Sequence, residues 1–325
     1  MLDYICSNPV FSSMRKKKRV IMAPAHDPKL LRVLAHADRL GICTPLLAGS
    51  VKETYDSLKR EYPGFNPKTI IETEDDRGAI EKAAAMISAG QADILMQGGL
   101  VPFDFCQTVL GLVPIHAYSR REALVPFDFR QTVLESRNRL GKKSRCSFVS
   151  LLKMADQDRL IMVTDTYIHE FPDFSEKIVI AENAVKLANL LGIKTPKVAA
   201  LAAIEYVNPN IASTVDAAAL AKMSSRGQFG SAIIEGPLDI DCAVSRKAAL
   251  RKGIDSKVTG CADIYLVPNI EAGSALSQTL AYFGKMELAG ILMGTVKPVV
   301  VNLPFIRFEQ KVAQIALAVM MAASQ

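Results

Sequence analysis

The chain has 325 residues, half of them hydrophobic, which is enough to bury the core of one large or two medium domains. Its net charge of +6 is combined with 6% aromatic residues and no Trp, which argues against a nucleic acid partner. The apolar runs fall short of the roughly 20 residues that a membrane span needs, and the N-terminus lacks the pattern of a signal peptide, so we expect a cytoplasmic protein without a membrane partner.

Strand-like and helical segments alternate from near the N-terminus. Residues 19–23 predict a strand, and Gly41 ends the helical segment that follows. One face of this helix is predicted to hold Leu30, Leu31, Leu34, Ala37 and Leu40. The same alternation continues with strand-like runs at 69–73 and 92–96 around a helical stretch at 77–90. These βαβ units predict an α/β fold with mainly parallel sheets.

Compact apolar runs bounded by turn residues predict six more strands in the second half of the chain. They lie at 159–165, 197–205, 231–236, 262–268, 288–294 and 297–302. Helical stretches are predicted between them and at the C-terminus. One of these helices has Ser213 and Asp216 in the spacing of a capping pair, and the last one, roughly 307–323, is neutral and rich in Ala.

A near-exact repeat interrupts this regular order. The string LVPFDFCQTVL at 100–110 returns as LVPFDFRQTVL at 124–134, with one difference in eleven positions. Such close identity indicates a recent local duplication or a sequencing artefact and not an ancient structural repeat. We expect one copy to follow the strand that ends near Met96 and the other to form an extra surface segment.

Six cysteines are spread along the chain without a CxxC pair. This arrangement predicts reduced thiols and neither a zinc site nor a disulfide framework. The four histidines form no group with Cys or carboxylates at metal-ligand spacing, so the sequence predicts no metal.

Several long strings resemble one known family. Two of them are AHDPKLLRVLAHADRLGICTPLLAG from Ala25 and ADILMQGGLV from Ala92. The others are KVAALAAIEYVNPNIASTVDAAALAKM, IIEGPLDIDCAVSRKAALRKGI and ADIYLVPNIEAGSALSQTLAYF, in that order. In order and spacing they resemble the phosphate acetyl/butyryltransferase family, and its phosphate butyryltransferase branch in particular.

The resemblance implies a fold, an activity and an assembly. The implied fold is the two-domain isocitrate/isopropylmalate dehydrogenase-like type with an interdomain cleft, one domain being 1–147 plus 300–325 and the other 148–299. The implied reaction exchanges an acyl group between acyl-CoA and inorganic phosphate to give acyl phosphate and CoA. Coenzyme A and phosphate are substrates, no cofactor is bound, and the protein is a homodimer, for which the final Ala-rich helix is weak additional support.

The segment VPNIEAG is the strongest site candidate, because it follows a buried strand. Asn269 and Glu271 are predicted catalytic residues, and Gly273 and Ser274 are predicted substrate contacts. The alternative is a simple strand-to-helix turn, with Asn269 as the N-cap and Gly273 required by the backbone.

Two further strand ends carry polar residues. Glu235 and Asp241 lie in EGPLDID, and Glu205 and Asn208 lie in IEYVNP, so all four are predicted to bind substrate. Capping and turn formation are the alternative roles.

The chain departs from the family near its C-terminus. The family has a Ser-Arg pair after the last strand, where this chain has Leu303 and Pro304. The resemblance makes Arg307 and Glu309 the candidates to replace this pair as catalytic residues. A charged first turn of the last helix is the alternative reading of both.

A second departure follows the strand that ends near Met96, where a hydroxyl-bearing loop of the family is missing. Gly98 and Gly99 remain and are predicted to let backbone N–H groups approach an anion. Arg130 and Arg139 are the nearby cations predicted to bind phosphate, with a solvated loop as the alternative. His26 and Asp27 border the expected cleft, with capping as the alternative role of Asp27.

Three functions remain open from the sequence. The first is an active phosphate acyltransferase with a short or branched acyl substrate. The second is a CoA- or acyl-phosphate-binding or regulatory protein whose catalysis was lost with the Ser-Arg pair. The third is a dehydrogenase of the same fold, although no clear Arg-rich substrate motif or paired metal-binding aspartates are present.

Overall fold

A computed structural model describes residues 1–13, 16–61, 70–99, 146–153 and 159–324 of the chain. The chain divides into two compact units. The terminal unit comprises Leu2–Arg145 and Thr295–Gln325, and the central unit comprises Cys146–Gly294 together with Met1. Each unit is an α/β structure with its own buried core.

The strands in the described residues are β1 Lys18–Ala23, β2 Cys43–Gly49, β3 Ile70–Glu72, β4 Ile94–Gln97, β5 Ser147–Lys153, β6 Leu160–Thr164, β7 Lys197–Leu201, β8 Ile233–Leu238, β9 Ile264–Leu266, β10 Glu287–Met293 and β11 Val299–Val300. The helices are α1 Leu2–Cys6, α2 Pro9–Ser12, α3 Pro28–Arg39, α4 Val51–Glu61, α5 Asp76–Ser88, α6 Phe174–Leu190, α7 Ala212–Ser225, α8 Ile240–Val244, α9 Arg246–Arg251, α10 Ile270–Tyr282 and α11 Phe308–Ala323. None of the described helices is both long enough and apolar enough to cross a membrane.

The terminal unit contains a parallel sheet in the order β3-β2-β1-β4-β11. The centre of β1, Val20 to Ala23, is fully buried, as expected for a strand covered on both faces. Asp27 begins α3 by accepting hydrogen bonds from the N–H groups of Lys29 and Leu30. Of the residues predicted to share one face of α3, Leu30, Leu31, Leu34 and Ala37 are buried. Leu40, predicted on the same face, is instead the C-cap residue and is 51% exposed.

Helix α11 is part of the core of the terminal unit. All of its residues from Val312 to Ala322 are buried, and it packs against α1 and α3. The neutral, Ala-rich composition therefore reflects burial within the chain. It no longer supports a homodimer, because these side chains are already covered.

The central unit contains a mixed sheet in the order β10-β5-β6-β9-β7-β8. Strand β5 pairs antiparallel with both β10 and β6, whereas β6, β9, β7 and β8 are parallel. The α/β class and the mainly parallel pairing agree with the sequence prediction.

Helices of the central unit start in different ways. Asp173 and Glu176 form a complete capping box at the start of α6. The predicted capping pair of α7 is wrong, because α7 begins at Ala212 and has no side-chain cap. Asp216 instead accepts a hydrogen bond from Lys177 Nζ at 2.7 Å and so joins α7 to α6.

Candidate functional site

Half of the predicted catalytic and substrate-binding residues lie at one edge of the central sheet. Strands β6, β9, β7 and β8 are parallel neighbours, so the loops that follow them leave the sheet at the same edge. Binding residues of open α/β sheets are usually found at such an edge. The predicted residues on these loops and on the helix starts beyond them are Glu205, Asn208, Asp241, Asn269, Glu271, Gly273 and Ser274.

The segment after β9 forms the first turn of α10. Asn269 is its N-cap, and its Oδ1 accepts a hydrogen bond from the N–H of Ala272 at 2.9 Å. Glu271 is exposed in the first turn, where a carboxylate is favoured by the helix dipole. The capping role of Asn269 is therefore present, and the exposed Glu271 is available for a ligand.

Gly273 allows α10 to approach the turn that follows β6. A Cβ atom at this position would lie 2.4 Å from the carbonyl oxygen of Asp165 and 2.9 Å from Val267 Cγ2. Ser274, one residue later, accepts a hydrogen bond from Gln278 Nε2 at 2.8 Å. Close packing against the backbone thus explains why position 273 is a glycine, which is the alternative role given for it in the sequence analysis. Its role as a substrate contact stays a prediction.

Glu205 and Asp241 lie on either side of one ammonium group. Lys252 Nζ is 2.5 Å from Glu205 Oε1 and 2.9 Å from Asp241 Oδ1. Its hydrogen bonds lower the pKa of both carboxyl groups, and their hydrogen bonds in turn raise the pKa of Lys252. Together with Cys242 Sγ, these two carboxylates form a group that could hold a metal ion. The ammonium group of Lys252 already neutralises them.

Asn208 and Glu235 have local partners. The Oδ1 atom of Asn208 accepts a hydrogen bond from the N–H of Asn210, and its own N–H donates to Thr214 Oγ1, so it organises the turn before α7. Glu235 does not follow a strand, because β8 continues to Leu238 and Glu235 pairs in register with Ala199. The predicted strand-end position of Glu235 is therefore wrong.

Gly98 and Gly99 lie directly after β4 in the terminal unit. Their N–H groups donate to the carbonyl oxygens of Ala23 and Pro24, each at 3.0 Å. A Cβ atom on Gly98 would lie 1.8 Å from the carbonyl oxygen of Pro24, and one on Gly99 would lie 2.2 Å from His26 Nε2. The predicted use of these N–H groups as anion donors must be corrected, since both are bonded to the backbone.

An open depression lies at the ends of β1, β2 and β3. Its volume is about 560 Å³, and its lining residues are His26, Ser50, Glu53, Glu74, Asp75, Asp76 and Arg77. His26 Nδ1 is 3.4 Å from Asp76 Oδ1. The lining carries four carboxylates and one guanidinium, so its negative charge would repel a phosphate group.

The residues proposed to replace the family's Ser-Arg pair lie at the start of α11. Arg307 is the exposed N-cap residue, and its backbone N–H donates to Gln310 Oε1 at 2.8 Å. Glu309 is exposed in the first turn. Both side chains are accessible, and the charged-first-turn alternative also fits this position.

Lys311 is a functional candidate that the sequence did not single out. Its ammonium donates to Asn302 Oδ1 and to the carbonyl oxygen of Leu303, the latter at 2.8 Å. Burial lowers the pKa of Lys311 to about 8, and the charge of Asp27 opposes this shift. A partly buried cation therefore lies where the Leu303 and Pro304 departure occurs, although no periodicity or spacing distinguishes it in the sequence.

A second missed feature follows β6. His169 Nδ1 lies 2.7 Å from Asp165 Oδ2, and both side chains are buried. An Asp directly after a buried strand with a His four residues later is a sequence signal that could have identified the pair. Arg130 and Arg139 lie outside the described residues, as do both copies of the repeat.

Comparison with known proteins establishes the family. The family model for phosphate acetyl/butaryl transferase matches residues 128–319. The phosphate butyryltransferase of Clostridium beijerinckii is 35% identical over 306 residues, which cover 94% of this chain and 93% of that protein. The chain belongs to this family of acyltransferases. The resemblance identified from the sequence strings is confirmed.

Other members agree with this assignment. The phosphate acetyltransferase of Thermotoga maritima is 32% identical over 308 residues, covering 94% of this chain and 96% of that protein. A crystal structure of a branched-chain phosphotransacylase from Enterococcus faecalis has the same fold, with a TM-score of 0.73 over 94% of this chain and 99% of that one, at 24% identity. The chain thus spans nearly the whole length of that phosphate acetyltransferase and of the branched-chain phosphotransacylase.

Proposed function

We propose that this protein is a phosphate acyltransferase that exchanges an acyl group between acyl-CoA and inorganic phosphate, giving acyl phosphate and CoA. The observation that carries the proposal is the 35% identity with a phosphate butyryltransferase over 94% of the chain, which includes residues of both units. Butyryl or another short or branched acyl group is the proposed substrate, because the sequence strings match the butyryl branch best.

Direct attack of phosphate on the thioester is the proposed chemistry. An anionic nucleophile attacks a carbonyl carbon, so the site needs cations for phosphate and hydrogen-bond donors for the oxyanion. Three of the five described cysteines support a mechanism without a thiol nucleophile. Burial raises the pKa of Cys43 and of Cys242 to about 12 and also raises that of Cys6, which keeps these thiols protonated and unreactive.

The proposed catalytic residues lie at two helix starts. In the central unit they are Asn269 and Glu271 at the start of α10, and in the terminal unit they are Arg307 and Glu309 at the start of α11. Exposure of Glu271, Arg307 and Glu309 supports contact with a ligand. Glu205, Asp241, Gly273 and Ser274 are proposed as substrate contacts because they lie at the carboxyl edge of the central sheet.

The finer fold assignment and the assembly are also proposals. The isocitrate dehydrogenase-like fold and the homodimer rest on the family resemblance, whereas the cytoplasmic location is the expectation drawn from the sequence. Coenzyme A and phosphate are proposed as substrates, with no bound cofactor.

A thiol-release assay tests the activity. Purified protein is incubated with butyryl-CoA or acetyl-CoA, with and without phosphate, and free CoA is measured. We expect release that depends on phosphate and is faster with butyryl-CoA. Binding of CoA by calorimetry without any release would instead support the binding or regulatory function.

Variants test the replacement of the Ser-Arg pair. Arg307→Ala and Glu309→Ala should each lower kcat, by about 10²-fold if the residue acts on the transition state. Arg226→Ala and Glu182→Ala, which change exposed residues of the central unit, are the matched controls. Equal activity of all four variants would remove Arg307 and Glu309 from the catalytic residues.

A further inference from the structure

The turn after β6 holds a buried carboxylate in one orientation. Asp165 is 2% exposed, and its Oδ1 accepts hydrogen bonds from the N–H groups of Phe148, Tyr167 and Ile168, at 3.2, 2.9 and 3.0 Å. Its other oxygen, Oδ2, is 2.7 Å from His169 Nδ1. With three backbone donors on one oxygen, the carboxylate has little freedom to turn away from the imidazole.

This arrangement determines which nitrogen of His169 is available. A carboxylate accepts hydrogen bonds, so the Nδ1 atom of His169 carries the proton and Nε2 of the neutral ring has a free lone pair. His169 forms no other hydrogen bond or ion pair within the described residues. An imidazole oriented through Nδ1 with a free Nε2 has the geometry of a general base.

The free nitrogen is also accessible. In the part of the chain that the structure describes, the fully buried side-chain N and O atoms without a partner are Thr54 Oγ1 and Thr295 Oγ1. Among the described residues, His169 Nε2 has no hydrogen-bond partner, and it is not one of these two buried atoms. The 9% of the His169 side chain that remains exposed therefore includes Nε2. A purely structural role would need only the Nδ1 bond.

The pair lies against the proposed catalytic segment at the start of α10. The N–H of Ile270 donates to the carbonyl oxygen of Glu170 at 3.1 Å, and the N–H of Val267 donates to that of Thr164 at 2.9 Å. Gly273 packs directly on the backbone of Asp165. The Asp165–His169 pair and the Asn269–Ser274 segment therefore form one rigid part of the carboxyl edge.

The other described histidines have different surroundings. His26 is half-buried in the lining of the acidic depression, and His36 packs edge-on against the ring of Phe308 with the centroids 5.3 Å apart. Among the described residues, His169 is the histidine whose carboxylate partner is itself buried and fixed.

We propose that His169, oriented by Asp165, transfers the proton between phosphate and the thiol of CoA during acyl exchange. The proposal rests on the phosphate acyltransferase function proposed above. An oxygen of dihydrogen phosphate forms the bond to the acyl carbon while its proton moves to His169 Nε2. The bond between the acyl carbon and sulfur breaks with its electron pair on sulfur, and Nε2 returns the proton to give the thiol. His169 is the catalytic residue and Asp165 is a positioning residue.

The test compares His169→Asn with the unchanged enzyme in the thiol-release assay. The Asn amide can still donate to Asp165, so the variant keeps the bond that holds the turn but has no group in place of Nε2. We expect kcat to fall by about 10²- to 10⁴-fold with little change in the KM for acyl-CoA. Added imidazole should restore part of the lost activity, which it could not do for a purely structural defect. His36→Asn is the matched control and should keep full activity.

The outcomes separate this proposal from the proposed function. An unchanged enzyme that releases no CoA contradicts the acyltransferase function itself. An active enzyme whose folded His169→Asn variant keeps its kcat overturns only the role of His169.

If His169→Asn does not fold, the unchanged enzyme is treated with diethyl pyrocarbonate and the modified histidines are mapped by mass spectrometry. Loss of activity that follows modification of His169, and that bound CoA prevents, supports the proposal. Full activity with His169 modified overturns it.

Discussion

Lys252 Nζ lies 2.5 Å from Glu205 Oε1, and the same ammonium reaches Asp241 Oδ1 at 2.9 Å. The lysine follows α9, whereas the two carboxylates follow β7 and β8, so the contact joins three segments of the central unit. The hydrogen bond from Lys252 is the largest cause of the lowered pKa of both carboxyl groups. The ammonium thus occupies the position that a metal ion would need.

Removal of this ammonium should create a divalent cation site. In Lys252→Met, Glu205 and Asp241 lose their cation and present two carboxylates at one point, a ligand type that suits Mn²⁺. We expect Mn²⁺ to stabilise the variant by about 1.4 kcal/mol at a concentration tenfold above its Kd, measured as a rise in Tm. Lys247→Met, which removes an exposed lysine of α9, is the control. The same Mn²⁺ response in both variants and in the unchanged protein would contradict this prediction.

The ion pair of Lys177 and Asp216 should contribute to stability through its burial. Their 2.7 Å contact links α6 to α7, and the two side chains are only 8% and 21% exposed. Asp216→Leu leaves the buried ammonium without a partner and should lower the free energy of unfolding by about 3 kcal/mol. The double variant Lys177→Met, Asp216→Leu should recover most of this loss, because neither charge remains. Urea unfolding measures all three proteins.

An exposed pair provides the comparison for this prediction. Arg246 and Asp255 form a 2.9 Å contact with side chains that are 60% and 72% exposed. Asp255→Leu should therefore cost no more than about 1 kcal/mol. If the two Leu variants lose equal stability, burial is not the reason for the effect at Asp216.

Hydrophobic patterning predicted the α/β class and most parallel strands because these strands are buried on both faces and have compact apolar runs. Strand β2, Cys43–Gly49, was missed, and so was β5, Ser147–Lys153. Strand β5 follows the interrupted region, and its antiparallel pairing with β6 and β10 depends on residues far along the chain. Local sequence patterns do not contain that information.

The candidate site was less predictable than the fold. Strand ends identified Glu205, Asp241 and Asn269, because the loops that carry binding residues follow directly from parallel strands. The sequence pattern could not reveal that Lys252 neutralises Glu205 and Asp241, because Lys252 lies 47 positions from Glu205 along the chain. The sequence pattern also could not show that the N–H of Gly98 donates to the carbonyl oxygen of Ala23 and is therefore not available to an anion.

Gly273→Ala should disturb the carboxyl edge of the central sheet. The new Cβ would lie 2.4 Å from the carbonyl oxygen of Asp165, a backbone atom that cannot move aside alone. We expect a loss of about 1–3 kcal/mol in the free energy of unfolding, together with a lower kcat because the turn that holds His169 must shift. Glu271→Ala, in the same helical turn but exposed, is the control for stability. Unaltered stability of Gly273→Ala would show that α10 can retreat without cost.

Lys311 should make stability depend on pH above neutrality. Burial lowers its pKa in the folded protein to about 8, below the ordinary value of 10.5. Below pH 8 the lysine is charged in both the folded and the unfolded state, and folding carries the full cost of burying the charge. Between pH 8 and 10.5 the unfolded chain binds more protons than the folded protein, so the contribution of Lys311 to stability rises with pH.

The measurement compares the unchanged protein with Lys311→Met in urea at pH 7, 8, 9 and 10. The variant loses the hydrogen bonds to Asn302 and Leu303 and also the titrating charge. We therefore expect the stability of the unchanged protein relative to Lys311→Met to increase steadily from pH 8 to pH 10. Lys29→Met, at an exposed position of α3, should show no such trend. A difference between the unchanged protein and Lys311→Met that stays constant with pH would mean that the lysine keeps its ordinary pKa, because only a pKa that differs between the two states makes stability vary with pH.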